Sequence, residues 1–159
     1  MDISGRRGSI GLSHLETGRG LKLETGTASI PPLPFEPDWI IGGGPLLLRD
    51  GIALGTEQAD TEGFAGDFSR GRHPRTALGV RKDGSIVLVT VDGRQPLISV
   101  GMTIPELSVL MAEWGCREAI NLDGGGSTTM VAGGKIVNHP SDAAGERPVS
   151  DALLVRARR

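Results

Sequence analysis

The most regular apolar spacing in the chain falls at Leu107, Leu110, Met111 and Trp114, which recur at i, i+3, i+4 and i+7. Thr103 precedes this run with Glu106 three residues on, a capping box, and Gly115 closes it, so the pattern predicts one amphipathic helix over about 104–114. Elsewhere the apolar runs are short and lie between turn signals. Leu46-Leu47-Leu48-Arg49 ends at Asp50-Gly51, and residues 77–81 and 85–91 flank Lys82-Asp83-Gly84, which predicts a hairpin. Ala119-Ile120-Asn121-Leu122, then 128–132 and 135–138 around Gly133-Gly134, extend the series, with Trp39-Ile40-Ile41 before it and residues 150–155 as a closing strand. Strand, helix and strand over 85–122 predict a right-handed crossover, while the hairpins supply antiparallel neighbours. The fold class expected is α+β: a mixed, mainly antiparallel sheet with one dominant helix and short hairpins.

Two stretches lack such a pattern. Residues 1–30 carry glycine at 5, 8, 11, 18, 20 and 26, and only 20–27 resemble a strand; Pro31-Pro32-Leu33-Pro34-Phe35-Glu36-Pro37 reads as a stiff spacer. This divides the chain into an atypical, weakly structured segment over 1–37 and a domain over 38–159. Residues 55–74, with four glycines, several charges and no period, read as a long loop.

Composition narrows the picture. Of 159 residues 25 are glycine, and with three Phe, two Trp and no Tyr the core must be aliphatic. The glycines have no period of three, which excludes collagen, and no stretch reaches the ~20 apolar residues of a membrane span. No charged N-terminal segment leads into an apolar run of signal-peptide type. A net charge of −2 gives no electrostatic footprint for nucleic acid, although arginine outnumbers lysine by 14 to 3, which suits bidentate phosphate recognition as well as a compositional bias. Cys116 is the single cysteine and reads as a small buried apolar residue.

Candidate chemistry concentrates in four loops. Asn121-Leu122-Asp123-Gly124-Gly125-Gly126-Ser127-Thr128 places three glycines after a strand, either as a tight turn or as a set of backbone N–H groups approaching an anion; the polar flanks favour the anion. It lacks the Lys of a phosphate-binding loop, and no G-x-S-x-G motif is present. His14, His73 and His139 are scattered without ligand spacing and read as surface or loop residues. The other loops are Pro74-Arg75-Thr76, Val91-Asp92-Gly93-Arg94 and 138–147. The last carries Asn138, Ser141, Asp142, Glu146 and Arg147. Ordinary turn chemistry explains each loop singly. Together their carboxylates and arginines suit an anionic sugar derivative.

The segments Ile41-Gly42-Gly43-Gly44-Pro45, Arg75-Thr76-Ala77-Leu78-Gly79, Val91-Asp92-Gly93-Arg94, 121–130 and 138–150 occur in an order that resembles the phosphodiester glycosidase family over about residues 38–156. The resemblance implies hydrolysis of a sugar-1-phosphodiester between the anomeric carbon and the phosphate oxygen. It implies Asp123, Glu146, Arg75 and Arg94 as catalytic, with Thr76, Asp92, Asn121, Gly124, Gly125, Gly126, Ser127, Thr128, Asn138, Ser141, Asp142 and Arg147 around the substrate. No residue is assigned to a metal, and Ca²⁺ is the cation that an all-oxygen set around Asp123 would take. The expected partner is a glycosyl phosphodiester or phosphorylated glycan, such as a bacterial exopolysaccharide, in an extracytoplasmic setting. Family members carry a further N-terminal half, without which uncovered strand edges favour a homo-oligomer. The alternative is a non-catalytic module that binds glycan phosphates or cell-envelope polymers.

Overall fold

A computed structural model of the chain describes residues 41–156. The strands β1 (Leu46–Arg49), β2 (Ile52–Ala53), β3 (Arg75–Arg81), β4 (Ile86–Val91) and β5 (Cys116–Asn121) form one antiparallel sheet in the order β2-β1-β5-β3-β4. The sheet and its helices bear out the α+β class. β3 is the pivot: Ala77 pairs with Val89 on one side and Asn121 on the other, Leu78 with Leu88 and Ile120. Because β4 and β5 both oppose β3, they run in the same direction with β3 between them. The helix α3 (Ile104–Glu113) makes the crossover between these two.

α3 starts where the sequence places it. Thr103 Oγ1 accepts a hydrogen bond from the Glu106 N–H at 3.3 Å, and the Glu106 carboxylate accepts from the Thr103 N–H at 2.9 Å. The buried face is Ile104, Leu107, Ser108 and Met111, which pack on Leu47, Ala77, Val89 and Ala119 of the sheet. Trp114, expected at the end of the apolar stripe, is the C-cap and half exposed, so the buried stripe lies about one turn earlier and includes Ser108, whose hydroxyl donates to the Leu54 and Ile104 carbonyls. Cys116 opens β5 as a free, buried thiol.

That Thr103–Glu106 bond holds the Glu106 carboxyl below its usual range. A depressed carboxyl stabilises the fold fully above its unfolded value and loses that share as pH falls through the folded one. Glu106→Ala, which removes the carboxylate that the Thr103 N–H holds, is expected to cost about 1 kcal/mol in urea unfolding at neutral pH, with the gap to wild type narrowing in acid; a gap that does not depend on pH contradicts the carboxylate half of the box.

Three expectations change. Residues 55–74 are not a long loop but contain two short helices, α1 (Thr56–Thr61) and α2 (Gly66–Arg70). Neither exceeds two turns, so there is no sustained period to read, and contact with α3 holds them. The closing strand over 150–155 is absent: those residues are exposed and pair with nothing among the described residues. The last hairpin shortens to β6 (Val131–Ala132) and β7 (Lys135–Ile136). Trp39 and Ile40 of the expected strand at 39–41 and everything proposed for residues 1–37 lie outside the described residues, and Ile41 is in no strand.

Candidate functional site

Antiparallel pairing decides which loops meet. With Arg75 opposite Val91 and Ala77 opposite Asn121, the N-terminal end of β3 and the C-terminal ends of β4 and β5 share one edge of the sheet. The Pro74-Arg75, Asp92-Arg94 and Asp123–Ser127 segments therefore emerge side by side, although almost fifty residues separate the first from the last.

The glycine run lies at the centre as a 3-10 turn, Gly125–Ser127. Its Gly125 N–H donates to the Pro74 carbonyl at 2.9 Å, and the Leu122 N–H donates to the Thr76 carbonyl at 2.8 Å. The missing Cβ atoms have specific neighbours. Gly125 has φ +61°, and a Cβ there would stand 3.2 Å from the Arg94 guanidinium; a Cβ on Gly126 would collide with the Arg147 guanidinium and the Asp142 carboxylate. Glycine here lets two cationic side chains lie directly on backbone, and of the two readings of the run the tight turn is the one observed.

The three arginines differ in what holds them. Arg75 is 2% exposed, with Nε donating to the Met102 carbonyl at 2.8 Å and Nη2 donating to the carbonyls of Phe68 at 2.6 Å and Gly71 at 3.0 Å. Its guanidinium also lies 4.9 Å from the Phe68 ring centre. Burial, with a smaller push from the nearby Arg94, lowers it to about 10, so it stays protonated at neutral pH. Arg94, at φ +57°, is exposed and has no carboxylate partner among the described residues; its Nη2 lies 3.3 Å from His73 Nδ1. Arg147 pairs with Asp142 through Nε at 2.6 Å and Nη2 at 2.5 Å.

Several polar residues act as struts. One Asp92 carboxylate oxygen accepts from Asn138 Nδ2 at 3.1 Å and from the His139 N–H at 2.9 Å. Asn138 also donates to the Thr128 carbonyl and accepts from the Met130 N–H. Together these bonds fasten the 138–147 loop to the end of β4 and to the glycine turn. Thr76 Oγ1 and Thr128 Oγ1 stand 3.5 Å apart, with Thr128 fully buried. Asn121 donates to the carbonyls of Gly44 at 2.8 Å and Leu122 at 2.9 Å; its Oδ1 is buried without a partner, as is Ser141 Oγ. Ser127 is half buried beside the turn. Asp123 and Glu146 are exposed, and neither carboxylate bonds to a described residue. Among the described residues no three acidic, histidine or cysteine side chains cluster as a metal site.

Sequence reasoning missed one member. His73 is not a scattered loop histidine: its ring lies between Arg94 and α2, with Nε2 3.3 Å from the Asp67 carbonyl. The one available signal was its place in the same tripeptide as Arg75.

Comparison with known proteins follows from this geometry. A family model described as phosphodiester glycosidase matches residues 9–156. The SPbeta prophage-derived uncharacterized protein YomE of Bacillus subtilis (strain 168) is 45% identical over 84 residues, 53% of this chain and 13% of that protein. The human N-acetylglucosamine-1-phosphodiester alpha-N-acetylglucosaminidase is 31% identical over 104 residues, 65% of this chain and 20% of that enzyme. The catalytic domain of the zebrafish enzyme of the same name, auto-inhibited by its pro-peptide, superimposes with a TM-score of 0.58 at 32% identity, covering 69% of this chain and 37% of that one. The chain thus spans about a fifth or less of the curated relatives it matches.

Proposed function

Since this chain belongs to the phosphodiester glycosidase family, we propose that it hydrolyses a sugar-1-phosphodiester at the bond between the anomeric carbon and the phosphate oxygen. The observation that carries the reading is the convergence of Arg94 and Arg147 on a glycine turn, where a Cβ would overlap the Arg147 guanidinium and crowd that of Arg94. Arg94 has no carboxylate partner among the described residues, so it is the guanidinium best placed to take an incoming phosphate. Arg147 supplies a second cation, Arg75 a fixed positive charge behind the turn, and the amides of Gly124 and Gly126 the remaining donors.

In this reading a water oxygen attacks the anomeric carbon and the bond to the phosphate oxygen breaks, its electron pair leaving with a phosphate monoester. Such a leaving group needs little protonation, so cationic stabilisation contributes more than acid catalysis. Asp123 or Glu146 takes the proton from water or stabilises the oxocarbenium-like transition state. Asp92 and Asn138 keep the 138–147 loop in place, Asn121 sets the end of β5, and Thr76, Ser127, Thr128, Ser141 and Asp142 orient substrate or loop. The setting proposed is extracytoplasmic, with a phosphorylated glycan as substrate and self-association through the exposed edge of β4.

The test is a panel of sugar-1-phosphodiesters assayed for phosphomonoester release, with Ca²⁺ and with EDTA, using this chain and one extended upstream. Asp123→Asn and Glu146→Gln are expected to divide, one of them losing at least 100-fold in kcat; undiminished turnover in both removes the carboxylate assignments. Saturable binding of a sugar phosphate with no turnover in either chain selects the non-catalytic glycan-phosphate module instead. That outcome would accord with two carboxylates that no described residue orients.

A further inference from the structure

Three consecutive residues before β3 each brace a different part of the site. The Pro74 carbonyl receives the Gly125 N–H, the Arg75 guanidinium gathers the carbonyls at the end of α2, and the His73 ring reaches Arg94. The first two are structural links between backbone segments. The third ends on a side chain that has no other hydrogen-bond partner among the described residues.

The backbone of His73 is held on several sides. Its N–H donates to the Met102 carbonyl at 3.2 Å and its carbonyl accepts from the Met102 N–H at 3.0 Å. Gly93 and Gly101 press against the same residue, so closely that a Cβ on Gly93 would stand 3.0 Å from the His73 carbonyl carbon, and one on Gly101 2.5 Å from it. Gly71 leaves room for the ring itself, since a Cβ there would stand 2.7 Å from Nε2. The imidazole therefore enters the site from an anchored backbone.

The hydrogen-bond chemistry then selects one protonation form. A carbonyl oxygen only accepts, so the 3.3 Å contact from Nε2 to the Asp67 carbonyl requires the proton on Nε2. A guanidinium nitrogen only donates, so the 3.3 Å contact from Arg94 Nη2 requires a lone pair on Nδ1. Both requirements are met together by the neutral Nε2–H tautomer. With Nη2 turned to the ring and the guanidinium against Gly125, neither Nε nor Nη1 has a hydrogen-bond partner among the described residues. From this we infer that His73 is a positioning residue: it acts as a neutral acceptor that fixes the orientation of the Arg94 guanidinium over the glycine turn. The inference rests on the phosphodiester reading for what Arg94 then holds.

Two measurements test it. Long-range ¹H–¹⁵N correlation of the uniformly labelled full chain reads the tautomer without any substrate. Expected for His73 is the Nε2–H pattern, with the Nδ1 resonance moving in Arg94→Met; an Nδ1–H tautomer, or a His73 spectrum indifferent to Arg94→Met, overturns the contact. Turnover of the sugar-1-phosphodiester found in the panel reads the consequence. His73→Asn carries an acceptor oxygen where Nδ1 stands and is expected to stay within about threefold of wild type, whereas His73→Gln, with its polar end near Nε2, and His73→Phe fall by about 10–100-fold at similar melting temperature. Equal activity in the Asn and Phe variants overturns the positioning role, since a merely structural ring would not care which nitrogen is replaced. If Arg94→Met itself turns over like wild type, the phosphodiester assignment of Arg94 fails, and the tautomer measurement still decides whether His73 holds it.

Discussion

Arg75→Met is expected to destabilise the fold by about 3–5 kcal/mol, a large fraction of the total for a domain this size. The guanidinium is buried and gathers three carbonyls, those of Met102, Phe68 and Gly71; the Met102 carbonyl keeps the His73 N–H as a second donor, while those of Phe68 and Gly71 have no other side-chain donor among the described residues. Methionine fills much of the volume and restores none of the donors. Each buried carbonyl left without a donor costs on the order of 1–3 kcal/mol. Lysine offers a single nitrogen to three widely placed acceptors and is expected to recover less than half of the loss. Urea unfolding of both variants measures this, and a loss under 1 kcal/mol in Arg75→Met would show that water can replace the guanidinium there. Arg94→Met supplies the contrast. That side chain is exposed and among the described residues bonds only to His73, so the melting temperature of the variant should stay within a degree or two of wild type while turnover falls by about 100-fold or more. Two arginines flank one turn. One is expected to act on folding and the other on function, because one is buried among carbonyls and the other faces solvent.

The second large effect is expected at Gly101, which holds the His73 backbone. Its φ is +92°, and a Cβ would strike the carbonyl and amide of His73, backbone atoms fixed by the His73–Met102 pair of hydrogen bonds. Gly101→Ala must therefore break that pair or move the loop before α3, at a cost of about 3–5 kcal/mol. Gly84→Ala is the control. It has a similar φ of +84° but open space around it, so only the backbone preference is lost, about 1–2 kcal/mol. Circular dichroism melts of the two variants separate collision from conformation, and equal losses would mean that the His73 segment yields.

The Gly101 case marks what one-dimensional reading can reach. Nothing around Ser99-Val100-Gly101-Met102 distinguishes that glycine from one in any loop, since its reason lies 28 residues upstream. Arg75 was legible as chemistry, and the same residue turns out to be almost wholly engaged by protein carbonyls, because burial is a property of the neighbours that α2 and the Met102 loop provide. The two helices over 56–70 were illegible for a related reason: each is too short to show a period and is held by packing. By contrast, α3 was readable to within a residue. Its capping box, apolar spacing and terminal glycine are all local, and only the burial of Ile104 and Ser108 in place of Leu110 and Trp114 required the sheet.

What belongs to the sequence is therefore whatever acts over a few residues: the capped helix, the β3–β4 hairpin, the glycine turn with its acidic and hydroxyl flanks, and the order of motifs that carries the family. What belongs to the tertiary structure is whatever depends on register. Pairing β3 between β4 and β5 puts loops that are almost fifty residues apart onto one edge, where Arg94, Arg147 and Asp142 close around Gly125 and Gly126 and His73 turns toward Arg94. Side-chain spacing along a strand sets which face a residue takes. Which other loop it meets there is set by hydrogen bonds to a strand elsewhere in the chain, and no local pattern encodes that partner.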